Sequence, residues 1–142
     1  MKRRTSYLLL FLPLIALAAC GQSPDERLQA EMKTVSSWTA TAQMAGEAWT
    51  KGFVPDAYAR RTLETARENL RETAETLEQV KEIPANQNLQ AQTEIGNLRQ
   101  TMNQMRAAIE SGNKSALAQS LNQLIMQKQA LEMSVKSADT EQ

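Results

Sequence analysis

Four breaks carrying glycine or proline recur at near-equal intervals, and their spacing constrains the fold more than any other feature of this sequence. They are Ser23-Pro24, Gly52-Phe53-Val54-Pro55, Ile83-Pro84 and Gly112-Asn113, and they delimit four segments of about 26 to 30 residues each. The ends carry helix chemistry. Ser23-Pro24-Asp25-Glu26 has the form of a capping box, with proline at the first helical position and acids at the positive end of the helix dipole. Lys51-Gly52 suits a helix C-terminus, where glycine takes the left-handed cap. Pro55-Asp56 is expected to start the second helix by the chemistry of the first, Gly112 to end the third, and Asn113 to cap the fourth.

Within each segment the apolar residues repeat at a spacing of three and four. The first seam runs Leu28, Met32, Val35, Thr39, Ala42, Gly46, Trp49 and Phe53, and the second Ala59, Leu63, Ala66, Leu70, Thr73, Leu77 and Val80. The third runs Ala91, Ile95, Leu98, Met102, Met105 and Ile109, and the fourth Leu117, Leu121, Leu124, Lys128, Leu131, Val135 and Ala138. No segment sustains an alternation of period two, so the expected class is all-α. Turns of about two to five residues cannot cross the length of a helix, which makes successive helices antiparallel neighbours. The expected architecture is an up-down-up-down four-helix bundle over residues 24–138, about 40 Å long at 1.5 Å per residue, with residues 139–142 as a frayed end. A monomer is favoured. The alternative is a homodimer of extended helical hairpins that complete their core only on pairing.

Residues 1–19 lie outside that pattern. Lys2, Arg3 and Arg4 precede an apolar run over 7–19 that contains no acid, the layout of a secretory signal peptide and too short for a comfortable membrane span of roughly 20 residues. The run ends Leu17-Ala18-Ala19-Cys20, followed by Gly21, and here the sequence resembles the lipobox of bacterial lipoprotein precursors. The resemblance covers residues 1–20. It implies cleavage before Cys20, a diacylglyceryl group on its sulfur, and an N-acyl chain such as palmitate on its new amino group. It further implies a cell-envelope location and, with Gly21 rather than Asp after the cysteine, passage to the outer membrane facing the periplasm if the host is diderm. Ordinary secretory cleavage after Ala18, where Ala16-Leu17-Ala18 fits A-x-A, would leave Cys20 as a free thiol without a role. With the anchor in place, residues 20–23 form the lipidated terminus and a tether of at most about 10 Å. The turn at 83–84 and the C-terminus then lie near the membrane, and the turns at 52–55 and 112 at the far end.

Composition narrows the function. The chain has no His and one Cys, which excludes imidazole acid/base catalysis, Cys/His metal cages and disulfides. Lys and Arg total 16, as do Asp and Glu, but three of the basic residues belong to the signal. The remaining 123 residues carry 13 basic and 16 acidic side chains, a mildly acidic balance that gives no reason to seek nucleic acid. No metal or other cofactor is expected beyond the covalent lipid, and no enzyme activity.

The four aromatic residues after the signal, Trp38, Trp49, Phe53 and Tyr58, cluster between 38 and 58. Three of them flank the distal turn, with Arg60 and Arg61 just beyond. Trp49, Phe53, Tyr58, Arg60 and Arg61 are therefore the candidate partner-binding residues, of the types that dominate binding hot spots. The competing interpretation is a plug, with Trp49 and Phe53 filling the end of a bundle lined by the small residues Thr39, Ala42 and Gly46. Those small residues could leave a cavity for an apolar ligand beside Trp38, Met44 and Trp49, or admit a neighbouring helix, and close packing is the simpler account. Glu64, Glu68, Glu72, Glu75, Glu78 and Glu82 interleave with Arg60, Arg67 and Arg71 as a solvated, ion-paired face, notably Arg60 with Glu64 and Arg71 with Glu75. Ser111-Gly112-Asn113-Lys114 matches S-x-x-K by chance, since S-D-N and K-T-G are both absent. Lys128 is expected to snorkel from its seam position. The sequence points to a membrane-anchored helical lipoprotein that binds or assembles another envelope protein, with an apolar-ligand carrier as the alternative.

Overall fold

A computed structural model describes the backbone of residues 21–140 and the side chains to Lys136. The expected signal peptide, residues 1–19, the expected lipidation site Cys20 and residues 141–142 lie outside the described residues. Four helices follow one another: α1 (Pro24–Thr50), α2 (Asp56–Gln79), α3 (Ala85–Glu110) and α4 (Lys114–Thr140). There is no strand among the described residues. Each helix packs on its sequence neighbours, α4 closes the ring on α1, and of the two diagonals only α1 and α3 approach each other. This is the antiparallel four-helix bundle expected from the spacing. α4 continues to Thr140, two residues past the expected end. No described helix is long and apolar enough to cross a membrane.

Local chemistry sets the boundaries. Ser23 Oγ accepts from the Glu26 amide at 3.2 Å while the Ser23 amide donates to Glu26 Oε2 at 3.1 Å, so the capping box is reciprocal. Asn113 Oδ1 caps α4 by accepting from the Ala116 amide at 2.9 Å. The two distal turns end their helices identically. At one, the Gly52 amide donates to Trp49 O and the Phe53 amide to Ala48 O; at the other, the Gly112 amide donates to Ile109 O and the Asn113 amide to Ala108 O. Both are Schellman closures, and both glycines take positive φ, 74° and 65°. The proximal turn has no such glycine. There α3 caps α2 with side chains instead, Asn88 Nδ2 donating to Leu77 O at 2.9 Å and Gln92 Nε2 to Ala74 O at 2.7 Å, while Val80 and Ile83 bury beneath.

The core follows the seams with an unequal division of volume. α2 supplies Leu63, Leu70 and Leu77, α3 supplies Ile95, Leu98, Met102, Met105 and Ile109, and α4 supplies Leu117, Leu124 and Leu131, all buried. Between Met32 and Trp49 at its two ends, α1 answers with Val35, Thr39, Ala42, Ala45 and Gly46. Large side chains thus meet a small-residue face, which is why α1 reaches across the diagonal to α3. A Cβ at Gly46 would stand 2.7 Å from Met105 Cε and 3.3 Å from Leu121 Cδ1, so this space is filled by neighbouring side chains. The buried Thr39 hydroxyl is satisfied by Val35 O at 2.8 Å, and Thr101 by Asn97 O at 3.1 Å and Gln127 Oε1 at 3.0 Å. Lys128 snorkels as expected, its Nζ 3.4 Å from Glu132 Oε1.

Phe53 departs from the seam: its side chain is 77% exposed. The left-handed turn at Gly52 ends the helical period one residue earlier, so Phe53 swings outward and Val54 packs against the core in its place.

Candidate functional site

The candidate site is the distal end, where the α1–α2 and α3–α4 turns meet the solvent. The structure divides the residues the sequence gathered there. Trp49 is 8% exposed, and its Nε1 donates to Asp56 Oδ1 at 2.7 Å. This corrects two expectations. Trp49 is a core residue rather than a contact surface, and Asp56 does not repeat the capping chemistry of Ser23, because its carboxylate is turned back onto the indole. Pro55 occupies the cap position of α2 and makes no side-chain cap bond. Burying an indole leaves its N–H in need of an acceptor, and the first residue of α2 supplies one. The plug interpretation therefore holds for Trp49 and fails for Phe53, which with Tyr58, 57% exposed, remains on the surface.

The two arginines separate in the same way. Arg61 is exposed one helical turn beyond Tyr58. Arg60 turns to α3, with Nη1 3.7 Å from Glu110 Oε1, and is a bundle contact rather than a tip residue. The expected Arg60–Glu64 pair is replaced, since Glu64 is held by Arg67 on its own helix and by Arg106 of α3 at 3.1 Å. Arg106 Nε also lies 3.8 Å from Glu110. The expected Arg71–Glu75 pair is present, and Arg71 holds Glu68 as well. The charged face of α2 is thus a ladder that crosses to α3. Its pairing perturbs titration: the hydrogen bond from Arg67, aided by Arg106, holds the Glu64 carboxyl below the usual range. The hydrogen bond from Arg71 does the same for Glu68, and Glu68 and Glu75 together push the Arg71 guanidinium up.

Folding brings further groups to the distal end that residue spacing does not mark as functional. Lys51 follows α1 and Lys114 opens α4 at the two distal turns, and both are exposed. Between α3 and α4 near this end runs an open groove of about 450 Å³, lined by uncharged residues including Gln104, Ser111, Ala116, Gln119 and Gln123 over Ala108 and Ser120. Up-down-up-down topology alone would have paired Lys51 with Lys114, but which acids remain free depends on side-chain contacts that spacing does not fix. No group of three or more His, Cys, Asp or Glu placed to hold a metal ion occurs among the described residues.

Compared with protein-family models, curated proteins and solved structures, the chain matches none. What the fold and the site define is a class: an all-α antiparallel four-helix bundle with an aromatic and cationic end.

Proposed function

We propose that this chain is a lipid-anchored envelope lipoprotein, non-enzymatic, which binds or assembles another envelope protein with the end of its bundle remote from the anchor. The observation that carries the proposal is the separation of two features along one rod. The Leu17-Ala18-Ala19-Cys20 motif precedes α1 by a few residues, and the exposed pair Phe53 and Tyr58 stands at the opposite end, about 40 Å away along a 27-residue helix. Large aromatic side chains left in water at a single end are the composition of a contact surface. The acyl chains on Cys20 would supply the membrane affinity, since two lipid attachments suffice for stable anchoring. In a diderm host the bundle would project from the outer membrane into the periplasm.

Mass spectrometry of the mature protein tests the anchor. The expected species begins at Cys20 with a diacylglyceryl thioether and an N-acyl chain, and Cys20→Ala abolishes membrane retention. An unmodified N-terminus at Ala19 overturns the assignment. Affinity capture from gently solubilised envelope tests the binding role. A specific partner is expected with the wild-type chain and lost with Phe53→Ser/Tyr58→Ser at unchanged melting temperature, whereas recovery of no specific partner overturns it.

A further inference from the structure

Charge is segregated along the bundle in a way that the chain order conceals. Residues 38–67 and 98–126, which antiparallel folding gathers into the distal half, carry seven basic and four acidic side chains. The described proximal half, 21–37, 68–97 and 127–140, carries six basic and eleven acidic ones. The overall acidic balance is therefore the difference between a basic end and a more strongly acidic one.

The distal acids are, moreover, all engaged. Asp56 accepts from the Trp49 indole, Glu47 from Gln43 Nε2 at 2.8 Å, Glu64 from Arg67 and Arg106, and Glu110 faces Arg60 and Arg106. By contrast Lys51, Arg61 and Lys114 are exposed and have no ion-pair partner among the described residues. Three unneutralised cations thus share the end of the bundle with Phe53 and Tyr58.

From this arrangement we infer that the distal end docks an acidic segment of a partner protein, with Phe53 and Tyr58 as apolar anchors and Lys51, Arg61 and Lys114 as the rim that selects charge. The inference rests on the binding role proposed above and adds the chemistry of the partner. Aromatic anchors within a charged rim are the anatomy of a protein interface, and the rim sets encounter rate and partner sign more than total affinity. A protein is the occupant chosen over the chain's own membrane. With the anchor at Cys20 and the bundle upright on it, the 27-residue α1 would hold the tip about 40 Å from the lipid surface, several times the Debye length of about 8 Å at physiological salt.

Site-directed photocrosslinking in the full, anchored chain tests this. A benzoylphenylalanine in place of Phe53, irradiated in the host's intact envelope, is expected to capture a protein whose cross-linked fragment is net acidic around one or more apolar residues. Lys51→Glu/Arg61→Glu/Lys114→Glu should lower the yield at least tenfold, and Lys51→Arg/Arg61→Lys/Lys114→Arg should restore it, with circular dichroism melts matched to the parent. A neutral or basic fragment, a lipid adduct, a second copy of this chain, or a yield indifferent to charge reversal overturns the acidic-partner assignment. The neutral or basic fragment from another protein would leave the binding role standing. Absence of any cross-link from a folded, anchored chain overturns the binding role itself.

Discussion

One added methyl group at Gly46 probes how the bundle holds together. An interior helical glycine costs about 0.8–1.0 kcal/mol relative to alanine, so Gly46→Ala gains that much from helix propensity alone. Against it, the new Cβ would lie 2.7 Å from Met105 Cε and 3.3 Å from Leu121 Cδ1, closer than atoms tolerate without movement. Overpacking typically costs about 1–3 kcal/mol. The closest neighbour is the free end of a methionine with three rotatable bonds, so the lower figure applies. The two effects nearly cancel, and Gly46→Ala should change stability by no more than about 1 kcal/mol. Gly46→Val has no such escape, because its fixed β-branch also faces Leu121 and Leu117, and should cost about 3 kcal/mol. Met105→Ala alone should cost about 2–4 kcal/mol, and about 1 kcal/mol less when Gly46→Ala is already present, since the new methyl occupies part of the vacated space. Urea denaturation of the chain from residue 21, read as a midpoint shift at constant slope, measures all four corners of the cycle. A gain of the full helix-propensity term from Gly46→Ala, with no coupling to Met105, would refute the close α1–α3 approach.

Three further outcomes are expected. Asp56→Ala removes a charge-assisted hydrogen bond to a buried indole. The carboxylate is itself exposed and water can replace it, so about 1–2 kcal/mol should be lost, with Trp49 emission shifting to the red in a Trp38→Phe background and a smaller loss for Asp56→Asn, which keeps an acceptor; equal stability of all three forms would argue against the contact. Gly112→Ala forces a side chain into φ +65° and should cost about 1–2 kcal/mol, whereas Gly96→Ala, where a Cβ meets nothing within 4 Å, should stabilise by about 0.5–1 kcal/mol, and the opposite order in denaturant midpoints would contradict the turn geometry. Glu64 and Glu68 have folded pKa values below the unfolded value of about 4.3, so their contribution is present at neutral pH and lost as pH falls through the lower folded values. Glu64→Gln/Glu68→Gln should therefore flatten the acid limb of a stability–pH profile, more at low than at high salt, and an unaltered limb would remove the ladder from the account.

Much of this architecture is written locally. Helix ends depend on a few adjacent residues, so the Ser23–Glu26 box, the Gly52 and Gly112 closures and the Asn113 cap are legible in the chain. Every residue that the three-four spacing places on the seams of α2 and α3 is buried, because burial on a helix follows its period, and Ala74, Thr101 and Ala108 widen the stripe beside them. Short turns then leave only antiparallel neighbours.

What the sequence could not determine are the outcomes of competition between groups distant along the chain. Spacing allowed Arg60 to pair with Glu64, but α3 supplies Arg106 to one and Glu110 to the other, and across the interface these partners win. Spacing put Trp49 and Phe53 on one stripe; the positive-φ turn between them buries the first and exposes the second, and the indole then claims Asp56. An acid held by an internal partner keeps its charge but is not placed to form a contact ion pair with a neighbouring cation. Residue order therefore determined by itself that this chain makes four antiparallel helices, while only the tertiary contacts decided which charges and which aromatics are left facing the solvent at the distal end.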